Sequence, residues 1–255
     1  MAMSPRLLRP RATGFNPGSL SGLWAWWDAA DDSTITTDTG VSVWRDKSPA
    51  KRQATQAVGN DQPTRTQTIN GKKVLSFDGT NHNMTFSGEA RTVETLFAVC
   101  QQRDATADAA NGSRYGVPMG SGGASRGMRL RMLYADNAFQ VDLVYSGFTA
   151  GTNRIIKTIS YAGSNGDIPL AVYSVVRKGA SGFQGFINSQ SLGTATTSES
   201  QTADRIGRAL TSEYFIGELA EVIIYSRDVT DSERAKVTDY LVKKWAIPTR
   251  TYTIA

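Results

Sequence analysis

The chain has 255 residues, of which 40% are hydrophobic and 20% charged, and it contains 24 glycines. This composition supplies enough apolar side chains for a substantial core, and it excludes disordered polyelectrolytes and collagen-like repeats. The 28 basic and 23 acidic residues give a net charge of +5. So small an excess does not by itself predict specific nucleic-acid binding.

Targeting and redox signals are weak. The single cysteine, Cys100, excludes an internal disulfide, a cysteine-based zinc site and a CxxC redox pair. No apolar run approaches the roughly 18–20 residues of a membrane-spanning helix. Near the start, only Leu7 and Leu8 stand between arginines, where a signal peptide has a longer apolar stretch. We therefore expect no membrane partner and no signal peptide.

Residues 1–21 are predicted to form an extended basic arm. Their prolines disfavour both a helix and a central strand, and they lower the entropy that an extended segment loses on binding. Arginine side chains can make forked hydrogen bonds to carboxylates. We therefore expect the arm to bind a neighbouring subunit, and the predicted contact residues are Arg6, Leu7, Leu8, Arg9, Arg11 and Phe15.

From residue 22 onward, the pattern is typical of many strands. Short apolar or alternating runs are separated by clusters of Gly, Asn, Asp, Ser and Pro. One run, Leu170–Arg177, has apolar residues at both its odd and its even positions, which face opposite sides of a strand. This predicts a central strand covered on both faces. The other predicted strands are Val41–Trp44, Val74–Phe77, Thr95–Cys100, Met128–Tyr134, Phe139–Tyr145, Gly185–Ile187, Tyr214–Gly217 and Leu219–Tyr225. Met128–Tyr134 and Phe139–Tyr145 form a predicted hairpin.

One helix is predicted near the C-terminus, at about residues 231–245. Thr230 and Glu233 have the spacing of a capping box. The apolar residues that follow recur on one helical face, which should pack on the sandwich. These residues are Val237, Tyr240, Leu241 and Trp245.

The residues offer little support for catalysis. The only histidine, His82, lies in a polar turn and is predicted to be a turn residue. Glu218 and Glu221 are three residues apart, so in a regular strand they face opposite sides and cannot form the carboxylate pair of a glycosidase without a bulge. A catalytic pair made of two carboxylates from different strands is not excluded by this argument. We expect no catalytic residues and a protein that is not an enzyme.

Metal sites lack a specific motif. Asp28, Asp31 and Asp32 form one oxygen-rich cluster, and the turn Asp78–Asn83 forms another. Both could offer calcium ligands, but neither has the spacing of a calcium-binding loop. We expect Asx turns and helix caps at both places, with no cofactor and no metal.

The tryptophans divide into two groups. Trp26 and Trp27 are candidates for stacking on a sugar, because they follow one another in the aromatic segment LWAWWDAAD. Trp44 and Trp245 lie in regular elements and are predicted to belong to the core.

Several segments, taken together, resemble a known superfamily. They are LWAWWDAADDSTIT, VSVWRDKS, ATQA, QPTRTQTINGKKVLSFDGTNHNMTF and GELAEVIIYSRDVTDSERAKVTDYLVKKW. In this order they resemble the concanavalin A-like lectin/glucanase superfamily, and more closely the LamG-like jelly-roll domains of bacteriophage virion proteins. The resemblance covers about residues 22–247. It implies an all-β fold in which residues 22–255 form two antiparallel sheets stacked as a jelly roll.

The resemblance does not imply an activity, because one fold can serve many functions. We expect a non-enzymatic bacteriophage virion structural protein. The first interpretation is a capsid decoration or cement protein, assembled in the host cytoplasm, that is anchored to capsid or tail subunits through the arm and is oligomeric in the particle. The alternative is a tail or fibre module that binds host-surface carbohydrate. An endoglycosidase would rest on fold analogy alone.

Overall fold

The chain folds mainly into antiparallel β-strands. The computed structural model describes residues 14–86, 91–102, 118–121, 140–141, 152, 154–157, 159–160, 168–197, 202–209 and 213–255. Within these ranges, one α-helix, α1 (Asp231–Trp245), follows the last long strand. No helix in the described ranges is long and apolar enough to span a membrane.

The strands are short at the periphery and long in the centre. In chain order they are β1 (Leu23–Asp28), β2 (Ile35–Thr37), β3 (Val41–Arg45), β4 (Gln53–Thr55), β5 (Thr68–Ile69), β6 (Lys72–Lys73), β7 (Leu75–Asp78), β8 (Met84–Phe86), β9 (Arg91–Thr92), β10 (Thr95–Gln102), β11 (Met119–Gly120), β12 (Gln140–Val141), β13 (Ile155–Ile156), β14 (Ile159–Ser160), β15 (Ile168–Arg177), β16 (Phe183–Ile187), β17 (Gln190–Ala195), β18 (Thr202–Ala203), β19 (Arg205–Ile206), β20 (Arg208–Ala209), β21 (Glu213–Tyr214), β22 (Ile216–Tyr225) and β23 (Thr253–Ile254).

The main sheet has seven strands in the order β1-β22-β10-β15-β16-β17, with β7 also pairing with β22. Strand β15 lies between β10 and β16, and its residues are buried on both faces up to Val176. The predicted central strand is therefore confirmed. Its continuous apolar run reflects the two different layers that cover the sheet.

A second sheet of six strands, in the order β11-β19-β8-β4-β3-β2, covers one face of the main sheet. Large side chains fill the space between the two sheets, and Trp27 and Trp44 are fully buried there. This confirms the predicted all-β sandwich and the core position of Trp44.

Helix α1 covers the other face of the main sheet. The capping box is present: the Glu233 backbone N–H donates to the Thr230 hydroxyl, and the Thr230 backbone N–H donates to the Glu233 carboxylate. Val237, Leu241 and Trp245 are fully buried against the sheet. The predicted helix is confirmed, and it adds a third layer to the sandwich.

Residues 14–21 belong to the body of the protein. The Tyr225 hydroxyl donates to the Pro17 carbonyl at 3.0 Å, and Arg227 Nε donates to the Ser21 carbonyl at 3.0 Å. Phe15 and Leu20 pack against the core of the helix layer. This corrects the boundary of the predicted arm, because its last residues are fixed to their own chain.

Some predicted features lie outside the described residues. These are the arm residues Arg6, Leu7, Leu8, Arg9 and Arg11 and nearly all of the hairpin Met128–Tyr134 and Phe139–Tyr145. Of that hairpin the structure describes β12, which pairs with β13.

Candidate functional site

A bulge in β22 places two glutamates on the same face of the main sheet. Glu221 lies opposite Val99 on β10 and Glu218 lies opposite Gln101, while Ala220 has no partner in this ladder. Because Val99 and Gln101 are two residues apart in a regular strand, they share a face, and so do the glutamates opposite them. The prediction that Glu218 and Glu221 face opposite sides is therefore wrong.

Glu221 is the centre of a buried polar cluster beneath α1. Its side chain is 0% exposed. It accepts hydrogen bonds from the indole N–H groups of Trp26 (2.6 Å) and Trp245 (2.7 Å), from Lys244 Nζ (2.6 Å) and from the Tyr240 hydroxyl (3.1 Å). A buried carboxylate is tolerated only when it is paired and hydrogen-bonded in this way. Glu221 thus joins strand β1 and helix α1 to strand β22.

A second carboxylate lies directly opposite the first. Asp28 is the cross-strand partner of Glu221 in the pairing of β1 with β22. Lys244 Nζ lies 2.7 Å from Asp28 Oδ2, and Lys47 Nζ lies 2.9 Å from the same oxygen. We call Asp28, Lys47, Glu221 and Lys244 the carboxylate–lysine cluster. Asp28 and Glu221 are thus two carboxylates that meet from different strands, a possibility that the sequence did not exclude.

The charges of the cluster shift one another's protonation. Burial raises the pKa of Glu221, and the neighbouring Asp28 raises it further, against the opposing effect of Lys244. Burial alone would lower the pKa of Lys47, but its hydrogen bonds to Asp31 and Asp28 outweigh that effect and raise the pKa. The hydrogen bond from Lys47 also lowers the pKa of Asp31 to about 2. With Glu221 and Asp28 both closed to solvent, the cluster is suited to holding layers together.

Two clefts border the carboxylate–lysine cluster. The first, which we call the helix groove, has a volume of about 470 Å³ and includes Lys244. The second, the loop cleft, has a volume of about 370 Å³ and includes Lys47. The helix groove is lined by Gly14, Phe15, Lys236, Asp239, Tyr240, Lys243 and Lys244. The loop cleft is lined by Asp31, Ser33, Thr34, Arg45, Asp46, Lys47, Lys51 and Gln53.

The predicted sugar platform is not open to solvent. Trp27 is fully buried between the sheets, with its ring centroid 4.9 Å from that of Phe86. Trp26 is 8% exposed, its N–H is bound to Glu221, and Lys47 lies 4.6 Å from its ring centroid. The structure corrects this expectation, because successive residues of β1 face the two covered sides of the main sheet.

The two oxygen-rich clusters form turns. Asp31 Oδ1 accepts the Ser33 backbone N–H, which caps a short 3₁₀ turn. Asp78 Oδ1 accepts the backbone N–H groups of Thr80, Asn81 and His82. The predicted Asx turns and the turn position of His82 are confirmed. Among the described residues, no group of three or more His, Cys, Asp or Glu is placed to hold a metal ion.

Comparison with known proteins identifies the fold by structure alone. No family model and no curated sequence matches the chain. The structure is similar to Trypanosoma rangeli sialidase in complex with sialic acid, with a TM-score of 0.54, 12% identity, and coverage of 88% of this chain and 33% of the sialidase. It is also similar to a mutant of HCR/D, with a TM-score of 0.55, 11% identity, and coverage of 84% of this chain and 53% of the other. The chain thus spans about a third of the length of the sialidase.

These similarities support the β-sandwich and correct one expectation. The expectation that the protein is not an enzyme is wrong, because about a third of a sialidase has a similar structure and because the bulge at Ala220 removes the argument from the faces of Glu218 and Glu221. At 12% identity the similarity shows the fold alone. The LamG-like and bacteriophage part of the resemblance stays a prediction.

Proposed function

We propose that the chain is a bacteriophage virion structural protein with a LamG-like sandwich, most simply a capsid decoration protein, that attaches to neighbouring subunits through residues 1–13. The observation that carries the proposal is the firm attachment of residues 14–21 to the helix layer. We call residues 14–21 the base of the arm. An arm that binds a neighbouring subunit needs a base fixed to the folded domain, because otherwise binding of the arm would not hold the sandwich in place.

The base of the arm is held by contacts far apart in the sequence. The Tyr225 hydroxyl, at the end of β22 in the main sheet, donates to the Pro17 carbonyl. Arg227 holds Ser21 and also pairs with Glu233 of α1 at 2.7 Å. The arm therefore starts from a point where a strand, a helix and the N-terminal segment meet.

The composition of residues 1–13 suits a partner with acidic groups. The segment has three arginines, Arg6, Arg9 and Arg11, and no aspartate or glutamate. A single exposed pair is worth only about 0.2–1 kcal/mol, so attachment requires several pairs together with burial of Leu7 and Leu8.

The test is co-sedimentation with virus particles that lack this protein. The full chain should bind the particles, and a variant without residues 2–13 should lose at least about tenfold in affinity while keeping the melting temperature of the full chain. A variant with Ala at Arg6, Arg9 and Arg11 serves as a milder form of the deletion.

Equal binding by the full chain and the deletion variant would refute attachment through the arm. Binding to a glycan array without binding to particles would favour the alternative, a module that recognises host-surface carbohydrate.

A further inference from the structure

The helix groove has an apolar floor and a basic rim. Phe15 and Tyr240 form the floor, with their rings edge to face and their centroids 6.1 Å apart. Lys236 and Lys243 lie two helical turns apart on the exposed side of α1, and both side chains are exposed. A single acidic residue, Asp239, lies between them in the lining.

The two rim lysines are available to a partner. Within the described ranges, neither the Lys236 side chain nor the Lys243 side chain has a hydrogen bond or an ion pair. Lys244 differs, because Glu221 and Asp28 already neutralise it. The free charge of the groove is therefore positive, and it comes from side chains whose pairing would not disturb the buried cluster.

The Tyr240 side of the groove floor is ordered by hydrogen bonds. The Tyr240 hydroxyl donates to Glu221 at 3.1 Å and accepts from Lys244 Nζ at 3.2 Å, and these bonds favour the present orientation of the ring. A surface that is already ordered loses less entropy on association, which favours specific binding. The carboxylate–lysine cluster thus contributes to the groove although it is closed to solvent.

The arm of the same chain is a poor occupant of this groove. Residues 1–13 carry arginines and no acidic residue, so they have the same sign of charge as the rim. The arm is instead joined in sequence to Gly14, which lines the groove. A partner with acidic groups that binds the arm can therefore also reach the groove.

We propose that the helix groove receives an acidic segment of the subunit to which the arm attaches, with an apolar side chain of that segment seated on Phe15 and Tyr240 and its carboxylates paired with Lys236 and Lys243. This inference rests on the proposed function and names the chemistry of the partner. A volume of about 470 Å³ accommodates one or two side chains of a peptide.

The experiment compares two charge reversals of equal size in the full chain. One variant carries Lys236→Glu and Lys243→Glu on the rim of the helix groove, and the other carries Arg45→Glu and Lys51→Glu on the rim of the loop cleft. Particles lacking this protein are the probe. We expect at least about a tenfold loss of affinity in the first variant and a change of less than about twofold in the second.

Two further measurements secure the interpretation. All four substituted side chains are exposed, so both variants should keep the melting temperature of the wild type. If the first variant unfolds, the pair Lys236→Ala and Lys243→Ala replaces it, with a smaller loss expected in the same direction. The affinity of the wild type should fall as salt rises, and less steeply in the first variant.

The outcomes separate this inference from the proposed function. If deletion of residues 2–13 abolishes binding but the groove reversal binds like the wild type, the arm remains the anchor and the groove inference is overturned. If both reversals weaken binding equally, the effect is one of net charge, which also overturns it. If the groove reversal instead weakens binding to double-stranded DNA or to an acidic polysaccharide, and not to particles, the partner class is wrong.

Discussion

The two faces of the main sheet are buried by different means. Toward the second sheet, a large cluster of apolar side chains is buried, and Trp27 lies there with its indole N–H without a partner among the described residues. Toward α1, Trp245 is equally buried, but its N–H donates to Glu221. The first face depends mainly on packing, with the hydrogen bond from the Trp26 backbone N–H to Asp46 joining β1 to the residue after β3, whereas the second combines packing with a closed network of charges. We infer that the network helps to specify where the helix lies, because a buried charge requires particular partners, while apolar packing by itself tolerates rearrangement.

The largest expected effect comes from breaking the network at its centre. Glu221→Gln should lower the free energy of unfolding by about 3–5 kcal/mol, because Lys244 would lose the buried charge of its partner, and relief of the repulsion between Glu221 and Asp28 offsets only part of this loss. Glu94→Gln is the matched control, since Glu94 also pairs with a cation, Arg177, but at a half-buried position. Its expected cost is about 1 kcal/mol or less. Urea unfolding of both variants measures the difference, and equal costs would contradict a special role for the buried network.

A smaller effect separates the two buried tryptophans. Trp245→Phe should cost about 1–3 kcal/mol more than Trp27→Phe, because only the first substitution removes a hydrogen bond to a charged group, one of the two donors to Oε2 of Glu221. Both variants lose a similar ring volume, so the difference isolates the hydrogen bond. Thermal unfolding of the two variants tests this. Equal stabilities would show that the indole N–H of Trp245 adds nothing to packing.

The smallest effect concerns the exposed start of the helix layer. The hydrogen bond from Arg227 lowers the pKa of Glu233 from 4.5 to about 2. A carboxyl group whose pKa is lowered by folding stabilises the protein above its unfolded pKa, and this stabilisation disappears as pH falls through the folded pKa. Glu233→Gln, which can still cap the helix, should therefore cost about 0.5–1 kcal/mol at neutral pH.

The pH dependence gives this last prediction its control. The difference between wild type and Glu233→Gln should shrink between pH 4.5 and about 2. Ser232→Ala, at an exposed position of the same turn, should show no such dependence. A difference that is constant with pH would mean that Glu233 acts through its shape and not through its charge.

Local patterns explain why much of the fold could be predicted. The apolar run of β15 and the capping box at Thr230 and Glu233 depend on residues that are close in the sequence. Such local preferences do not depend on the rest of the fold. The side of the main sheet that Glu221 faces could not be predicted from such local patterns. Its position depends on the bulge at Ala220, and a bulge exists only in the pairing of one strand with another.

The sequence by itself determined the all-β class, the central strand, the helix with its cap, and the Asx turns, because each follows from contacts between residues close in the chain. Only the tertiary structure decided that Trp26 lies beneath a helix, and that Asp28 meets Glu221 and two lysines. Trp26 and Glu221 are 195 residues apart in the chain. Contacts at that separation leave no periodic signal in a single sequence, because they are fixed by the order of strands in the sheet and by the helix that covers them.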